Sequence, residues 1–271
     1  ICWVSIPTQT EPMSRTYVLP ALLVLLTACQ SPEKITETGA VQDTLRIVAY
    51  NIHHGAGMDL ELDLERIGAL IRDLKPDLVA LQEIDSVVTR TNAVNQASVL
   101  GDITGMDAVF GEFMPYQGGK YGMAVLSKWP IVSSKNHRLP DGEEPRSALS
   151  IRVSSPKTSR ELEFVGIHFY MTETERLAQA RALSAAYEDT NVPIIIAGDF
   201  NSEPDSPILA HLAENWDFVQ KGEDHFTFSS YEPVKEIDFF ALRPSTAFRV
   251  IDQYLIDEPV ASDHRPLFIE L

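Results

Sequence analysis

Two stacked β-sheets with helices on their outer faces, an α/β (α+β) arrangement, is the fold class that the sequence predicts. Short segments that are β-branched, alternating or wholly apolar follow one another in groups along the chain, as strands of a sheet do. Only three segments carry apolar residues at helical spacing. Strands and helices do not alternate one for one, which disfavours a doubly wound parallel sheet and favours two sheets packed face to face.

The elements can be justified in order. Leu45–Asn51 alternates and is β-branched, and reads as the first strand. Leu64, Ile67, Leu70, Ile71 and Leu74 recur at helical spacing, with Asp63 as N-cap and Pro76 closing the segment. Leu78–Leu81 is a short buried strand that ends at Gln82-Glu83, and residues 94–103 form a second helix stopped near Gly105. Strands are expected around 107–111, 122–127, 147–153 and 162–169, separated by loops containing Gly118-Gly119, Pro130 and Pro140-Asp141-Gly142. A third helix over 173–187 precedes a strand at 194–198, and further strands are expected at 236–241, 248–252 and 265–270. No internal repeat or composition break interrupts 45–271, so one domain is expected there.

The net charge of −17, without any Lys/Arg run, weighs against a general DNA-binding protein. The two cysteines, Cys2 and Cys29, precede the domain, so no disulfide is expected in its core. Met13–Tyr17 is a short basic start, Val18–Leu26 an apolar run too short to span a bilayer, and Leu26-Thr27-Ala28-Cys29 closes it. This resembles a bacterial lipobox, with an ordinary secretory peptide as the alternative. The expected organisation is an upstream stretch and signal peptide over 1–28, a lipidated Cys29 with a polar tether over 29–44, and the domain over 45–271. Translation is expected to start at Met13. Gln30 after Cys29, in place of aspartate, points to the outer membrane.

Polar residues recur where apolar strands end: Asn51, Glu83, His168, Asp199 with Asn201, Asp238, and Ser262-Asp263-His264. A buried charge is costly unless paired or bound to a metal, so six such ends are best explained by convergence on one mouth. In "IIIAGDFNSEP" strand alternation turns Asp199 and Asn201 to one face and Phe200 to the other; an Asx-turn is the plainer reading of the same residues.

"YNIHHG", "PDLVALQE", "GIHF", "GDFN", "EIDFF" and "SDHRP", in this order from Leu45 to the C-terminus, resemble the endonuclease/exonuclease/phosphatase superfamily, and its bacterial metal-dependent hydrolases in particular. The resemblance implies a four-layered, DNase I-like α/β sandwich of two mostly antiparallel sheets, and hydrolysis of a phosphate mono- or diester by in-line attack of water. Glu83 would be the principal ligand of Mg²⁺ or Mn²⁺, with Asn51 and Asp263 nearby. Asp199 and Asn201 would orient the water and bind a phosphate oxygen. His264 would face the scissile phosphate with Asp238 in support, and either Asp199 or a histidine would be the base. His168 would contact the phosphate or protonate the leaving group, the alternative being a core histidine.

Arg146 reads either as a phosphate clamp or as a surface arginine. Lys120, in a "YQGGKY" segment read as a substrate loop or a plain turn, is placed near a phosphate. His53 shares Asn51's face and lines the pocket, whereas strand alternation assigns His54 to structure. Met123 stands where many relatives carry asparagine. The expected protein is a monomeric, lipid-anchored phosphoesterase of the bacterial envelope acting on a small ester, a lipid head group or a nucleotide. Rival readings are an envelope nuclease and a non-catalytic lipoprotein that binds a phosphorylated ligand.

Overall fold

The computed structural model describes residues 44–271, which belong to one compact unit. Cys29, the signal peptide and nearly all of the tether lie outside the described residues.

The first sheet contains β1 (Arg46–Asn51), β2 (Leu78–Ser86), β3 (Asp107–Tyr116), β4 (Gly119–Ser127), β11 (Asp252–Leu255) and β12 (Leu267–Glu270), ordered β11-β12-β1-β2-β4-β3. The second contains β5 (Ile131–Arg138), β6 (Ser147–Ser154), β7 (Glu161–His168), β8 (Ile194–Asp199), β9 (Asp217–Phe218) and β10 (Asp238–Arg243), ordered β5-β6-β7-β8-β10-β9. Each sheet has a single parallel pair at its centre, β1 with β2 and β7 with β8, flanked on both sides by antiparallel neighbours. The two sheets therefore repeat one strand pattern.

Alternation along the strands builds the layers. Ile47, Ala49, Leu78, Ala80, Ile151, Phe164, Ile195, Ala197 and Phe240 fill the space between the sheets. Val48, Tyr50, Val79 and Leu81 face the opposite way onto Ile67 and Ile71 of α1 (Leu64–Leu74) and Leu100 of α2 (Gln96–Thr104). Val165, Ile167, Ile194 and Ile196 do the same toward α3 (Glu173–Ala186) and α4 (Pro207–Leu212). The result is the four-layered sandwich, helices–sheet–sheet–helices.

Local chemistry sets the helix ends. The Asp63 carboxylate accepts from the Arg66 N–H at 2.9 Å, capping α1, and left-handed Lys75 and then Pro76 stop it. Gly105, at φ +67°, ends α2.

Three expectations are corrected. The Pro130 region holds β5, an exposed edge strand whose polar residues carry no period-two signal. The penultimate strand of the first sheet lies at 252–255 rather than 248–252. The 116–121 segment is no free loop: Tyr116 pairs with Gly119 in the hairpin joining β3 and β4.

The parallel pairs position the mouth. Asn51 sits at the carboxyl end of β1 and Glu83 in β2 one residue past the end of the β1–β2 pairing, while His168 and Asp199 end β7 and β8. Antiparallel β10 starts where β8 ends, pairing Asp238 with Asp199. His264 precedes β12, which runs antiparallel to β1. Carboxyl ends of parallel strands are where open α/β sheets bind ligands; here two sheets aim theirs at the same place.

Candidate active site

Asn51, Asp199, His168, Asp238 and His264 are all buried, and they touch. The Asn51 amide nitrogen donates to Glu83 Oε1 and to Asp199 Oδ2, each at 3.2 Å. Its oxygen accepts the His53 N–H at 3.1 Å. Asn51 thus presents its nitrogen to the two carboxylates and its oxygen to the His53 N–H.

Asp199 joins the two sheets. Its Oδ2 lies 3.4 Å from His168 Nε2 and 3.7 Å from His264 Nε2. Its Oδ1 accepts the Asn201 N–H at 2.7 Å, closing an Asx-turn. Asn201 is left-handed at φ +47°, and its amide donates to the Phe169 carbonyl at 2.9 Å. The turn and the site are one feature, and the Asn201 amide nitrogen is occupied in holding it. Phe200 packs on the outer face of the second sheet, as alternation predicts.

The two histidines beside Asp199 differ in charge. Burial and the nearby Arg146 hold the His168 imidazole down to about 3, so it is neutral, and its approach to Asp199 is not an ion pair. For His264 burial acts in the same direction but is overcome by Asp238, which accepts from Nδ1 at 2.9 Å, and by Asp199; it is raised to about 10. Asp199 itself is pushed up to about 7 by burial and by the charge of Asp238, against the pull of His264, the Asn201 N–H and Asn51. Asp199, Asp238 and His264 offer oxygens and a nitrogen close enough to hold a cation. Without an ion, the His264 imidazole donates to Asp238 and stands beside Asp199, an arrangement that can hold and pass a proton.

Glu83 reaches the mouth through a defect. Inward and outward positions alternate along β2, with Leu78 and Ala80 facing the other sheet and Val79 and Leu81 facing the helices. Alternation would send Glu83 outward too. A β-bulge between Leu81 and Ile84, with Glu83 at φ +59°, re-aims it. Burial works against its ionisation, but His54 and His53 beside it and the Asn51 amide hold the carboxyl well below its ordinary range.

The turn after β1 brings a further group. His53 and His54 are left-handed, at φ +47° and +46°, in a 3-10 turn. Strand alternation therefore does not apply to them, and the separation expected between the two side chains is corrected. Both rings lie with Glu83, with ligand atoms within 4.8 Å of one another. A left-handed backbone costs a non-glycine residue roughly 1 kcal/mol or more, and such strain collects at functional sites.

The remaining expected residues stand apart to different degrees. Asp263 is in neither metal-capable group among the described residues; its carboxylate lies 3.3 Å from the Ser262 hydroxyl oxygen. Arg146 is buried, which removes the surface reading, and its guanidinium stacks over Phe113, Tyr121 and Tyr170 while pairing with Glu144. Lys120 is engaged elsewhere: it is exposed and paired with Glu112 at 2.6 Å. Met123 is fully buried between the sheets, under Gly166, and is packing rather than a contact.

Three residues had no individual role assigned from the sequence. Thr227 accepts the Ile237 and Asp238 N–H groups at its hydroxyl and so fixes Asp238. The Ser262 hydroxyl donates to the Asn51 carbonyl at 2.7 Å, tying the His264 turn to β1. Gln82 is fully buried beside Gly198, and both its amide atoms lack a hydrogen-bond partner among the described residues. A polar residue at an inward position of an apolar strand was the available sign for Gln82; Thr227, in a loop, offered none.

Against known proteins, the profile of the Endonuclease/Exonuclease/phosphatase family matches residues 48–264. The uncharacterised Escherichia coli K12 protein YbhP is 25% identical over 245 residues, spanning 85% of this chain and 97% of YbhP. An endonuclease/exonuclease/phosphatase structure from Bacteroides vulgatus superposes with a TM-score of 0.71 at 19% identity, over 84% of this chain and 98% of that one. The Bacteroides thetaiotaomicron mannosyl-6-phosphatase Bt3783 does so with a TM-score of 0.65 at 17% identity, over 83% and 98%. At these identities the structural likeness speaks for the DNase I-like fold.

Proposed function

This chain belongs to the endonuclease/exonuclease/phosphatase family of phosphoester hydrolases, and from that premise we propose that it is a divalent-metal-dependent phosphoesterase acting on a small phosphate ester by direct attack of water. The carrying observation is the junction at Asp199, where one carboxylate meets Asn51, a neutral His168 and a protonated His264.

An ionised Glu83, with His53 and His54 beside it, is a donor set that fits a divalent cation. When bound, the ion would polarise a phosphoryl oxygen and offset its charge. Asp199, at about 7, suits a general base near neutral pH and would take the proton of the attacking water. His264, charged and held by Asp238, would stabilise the charge growing on the phosphoryl oxygens. A neutral imidazole is a weak acid, so of the roles expected for His168, contact with the phosphate fits better than protonation of the leaving group. Arg146 backs that side with a fixed positive charge. Asn201 positions Asp199 through the Asx-turn.

The test is a panel of phosphate monoesters, diesters, nucleotides, phospholipid head groups and plasmid DNA, with Mg²⁺, Mn²⁺ or EDTA. The expected result is turnover of a small ester, abolished by EDTA and lowered on the order of 10²-fold or more by Asp199→Asn and by Glu83→Gln. No turnover with either metal, or undiminished rates in both variants, overturns the reading. A plasmid rate matching the best ester would favour a nuclease.

A further inference from the structure

We propose that His53 and His54 join Glu83 as ligands, making a centre of two imidazoles and one carboxylate that prefers Mn²⁺ or a later first-row ion to Mg²⁺. The inference deepens the hydrolase reading above, since the ion would occupy the Glu83 side of the same mouth.

Three independent features point to it. The first is proximity: one ligand atom from each of the three residues falls within 4.8 Å of the others, a spacing that a common metal ion can draw in. His54 Nδ1 is 3.9 Å from Glu83 Oε2.

The second is the state of each ring nitrogen. His53 Nδ1 lies 3.2 Å from the Ala56 carbonyl oxygen, which can only accept. Nδ1 therefore carries a proton, which leaves Nε2 as the ring atom that could ligate an ion. A backbone carbonyl behind the ring is the usual support of a metal-bound histidine. His54 Nδ1 is buried with no hydrogen-bond partner among the described residues. With the Glu83 carboxylate 3.9 Å away, an ion between the two would give this nitrogen a partner.

The third is where the backbone departs from its easy conformations. His53, His54 and Glu83 are all non-glycine residues at positive φ. In a plain turn glycine or asparagine would serve these positions better. Two consecutive left-handed histidines swing both rings to one side, and the β2 bulge turns Glu83 to meet them.

The donor set decides the ion. Mg²⁺ demands oxygen ligands and binds imidazole poorly, whereas affinity for nitrogen rises along the first row from Mn²⁺. The Asn51 oxygen already accepts the His53 N–H, and Asp263 lies outside the cluster, so two imidazoles and one carboxylate make up the group.

Mn²⁺ is the probe, because its paramagnetism reports the nuclei bound to it. The full chain, stripped with chelator, is titrated with Mn²⁺ and with Mg²⁺ by calorimetry, and the Mn²⁺ complex is examined by pulsed electron paramagnetic resonance. Expected are Mn²⁺ binding at least about tenfold tighter than Mg²⁺ and nitrogen modulation from two imidazoles. That modulation should fall to one nitrogen in His53→Asn and in His54→Asn, with Mn²⁺ affinity lowered roughly 10–100-fold. Asparagine is chosen because it tolerates the left-handed backbone, and circular dichroism checks that each variant folds. A Mn²⁺ complex without nitrogen modulation, no preference over Mg²⁺, or no binding overturns the inference. If a variant fails to fold, the nitrogen count in the unaltered chain decides alone. Ester turnover with an oxygen-only ion would leave the hydrolase standing and sink the imidazole centre; two bound nitrogens without turnover would do the reverse.

Discussion

His168 and His264 approach the same carboxylate, Asp199, and yet hold opposite charge states. Burial acts on both; the difference is the partner, Arg146 for one and Asp238 for the other. The native state keeps a proton on His264 up to about 10, whereas an unfolded histidine loses it near 6.5. Its contribution to stability is therefore complete below pH 6.5 or so and fades as pH rises toward 10. In Asp238→Asn the support vanishes while burial remains. We expect the imidazole to be neutral at pH 7 in that variant, and turnover to fall by about 10³-fold. Nitrogen NMR titration of the metal-free protein reads the first directly, and a wild-type-like His264 titration in the variant would refute the account. The acids, amides and His264 were legible in the sequence because each adjoins an apolar strand. The role of His54 was not: strand alternation separates neighbours, and nothing in two consecutive histidines announces a left-handed backbone.

Elements carry these residues through two departures from ideal geometry, one in each sheet. The bulge in β2 re-aims Glu83, and Gly198 in β8 lets two strands close up immediately before Asp199. Gly198 has φ +139°, and a Cβ there would come within 2.2 Å of the Ile167 carbonyl oxygen and 2.7 Å of the Gln82 amide nitrogen. The glycine of "GDFN" is thus required by the β7–β8 approach, not by the turn that follows. Gly198→Ala should cost about 2–4 kcal/mol and lower the melting temperature by roughly 5–15 °C, with Asp199 displaced. An unchanged melting temperature in differential scanning calorimetry would show that the strands have slack to give. Central strands were readable because they are apolar runs between polar ends. The exposed β5 was not, since an edge strand with polar residues on both faces follows no period. The β2 bulge was equally hidden, as an extra residue in a ladder appears only when its partner strand is known.

At the scale of the molecule, the site is divided between the sheets: Asn51, Glu83 and His264 come from the first, and His168, Asp199 and Asp238 from the second. Small residues between the sheets, Ala49, Ala80, Gly166 and Ala197, let the halves come close below the mouth. The charge of −17 suits such a protein to small esters better than to duplex DNA. The proposed anchor belongs at this scale too. We expect the full chain to fractionate with membranes and to take up labelled palmitate, with both properties lost in Cys29→Ser; a soluble, unlabelled full chain would remove the anchor from the proposal.

The neighbourhood of β1 and β12 bears on when this protein becomes competent. Arg46 pairs with Glu270, so the first described strand waits for the last before its sheet is complete. Asn51 is in place early in synthesis, but the turn bearing His264 docks only when β12 has closed beside β1. Such distant pairing forms slowly. A half-made chain therefore holds only fragments of the candidate site, which is whole only when the last strand is in place.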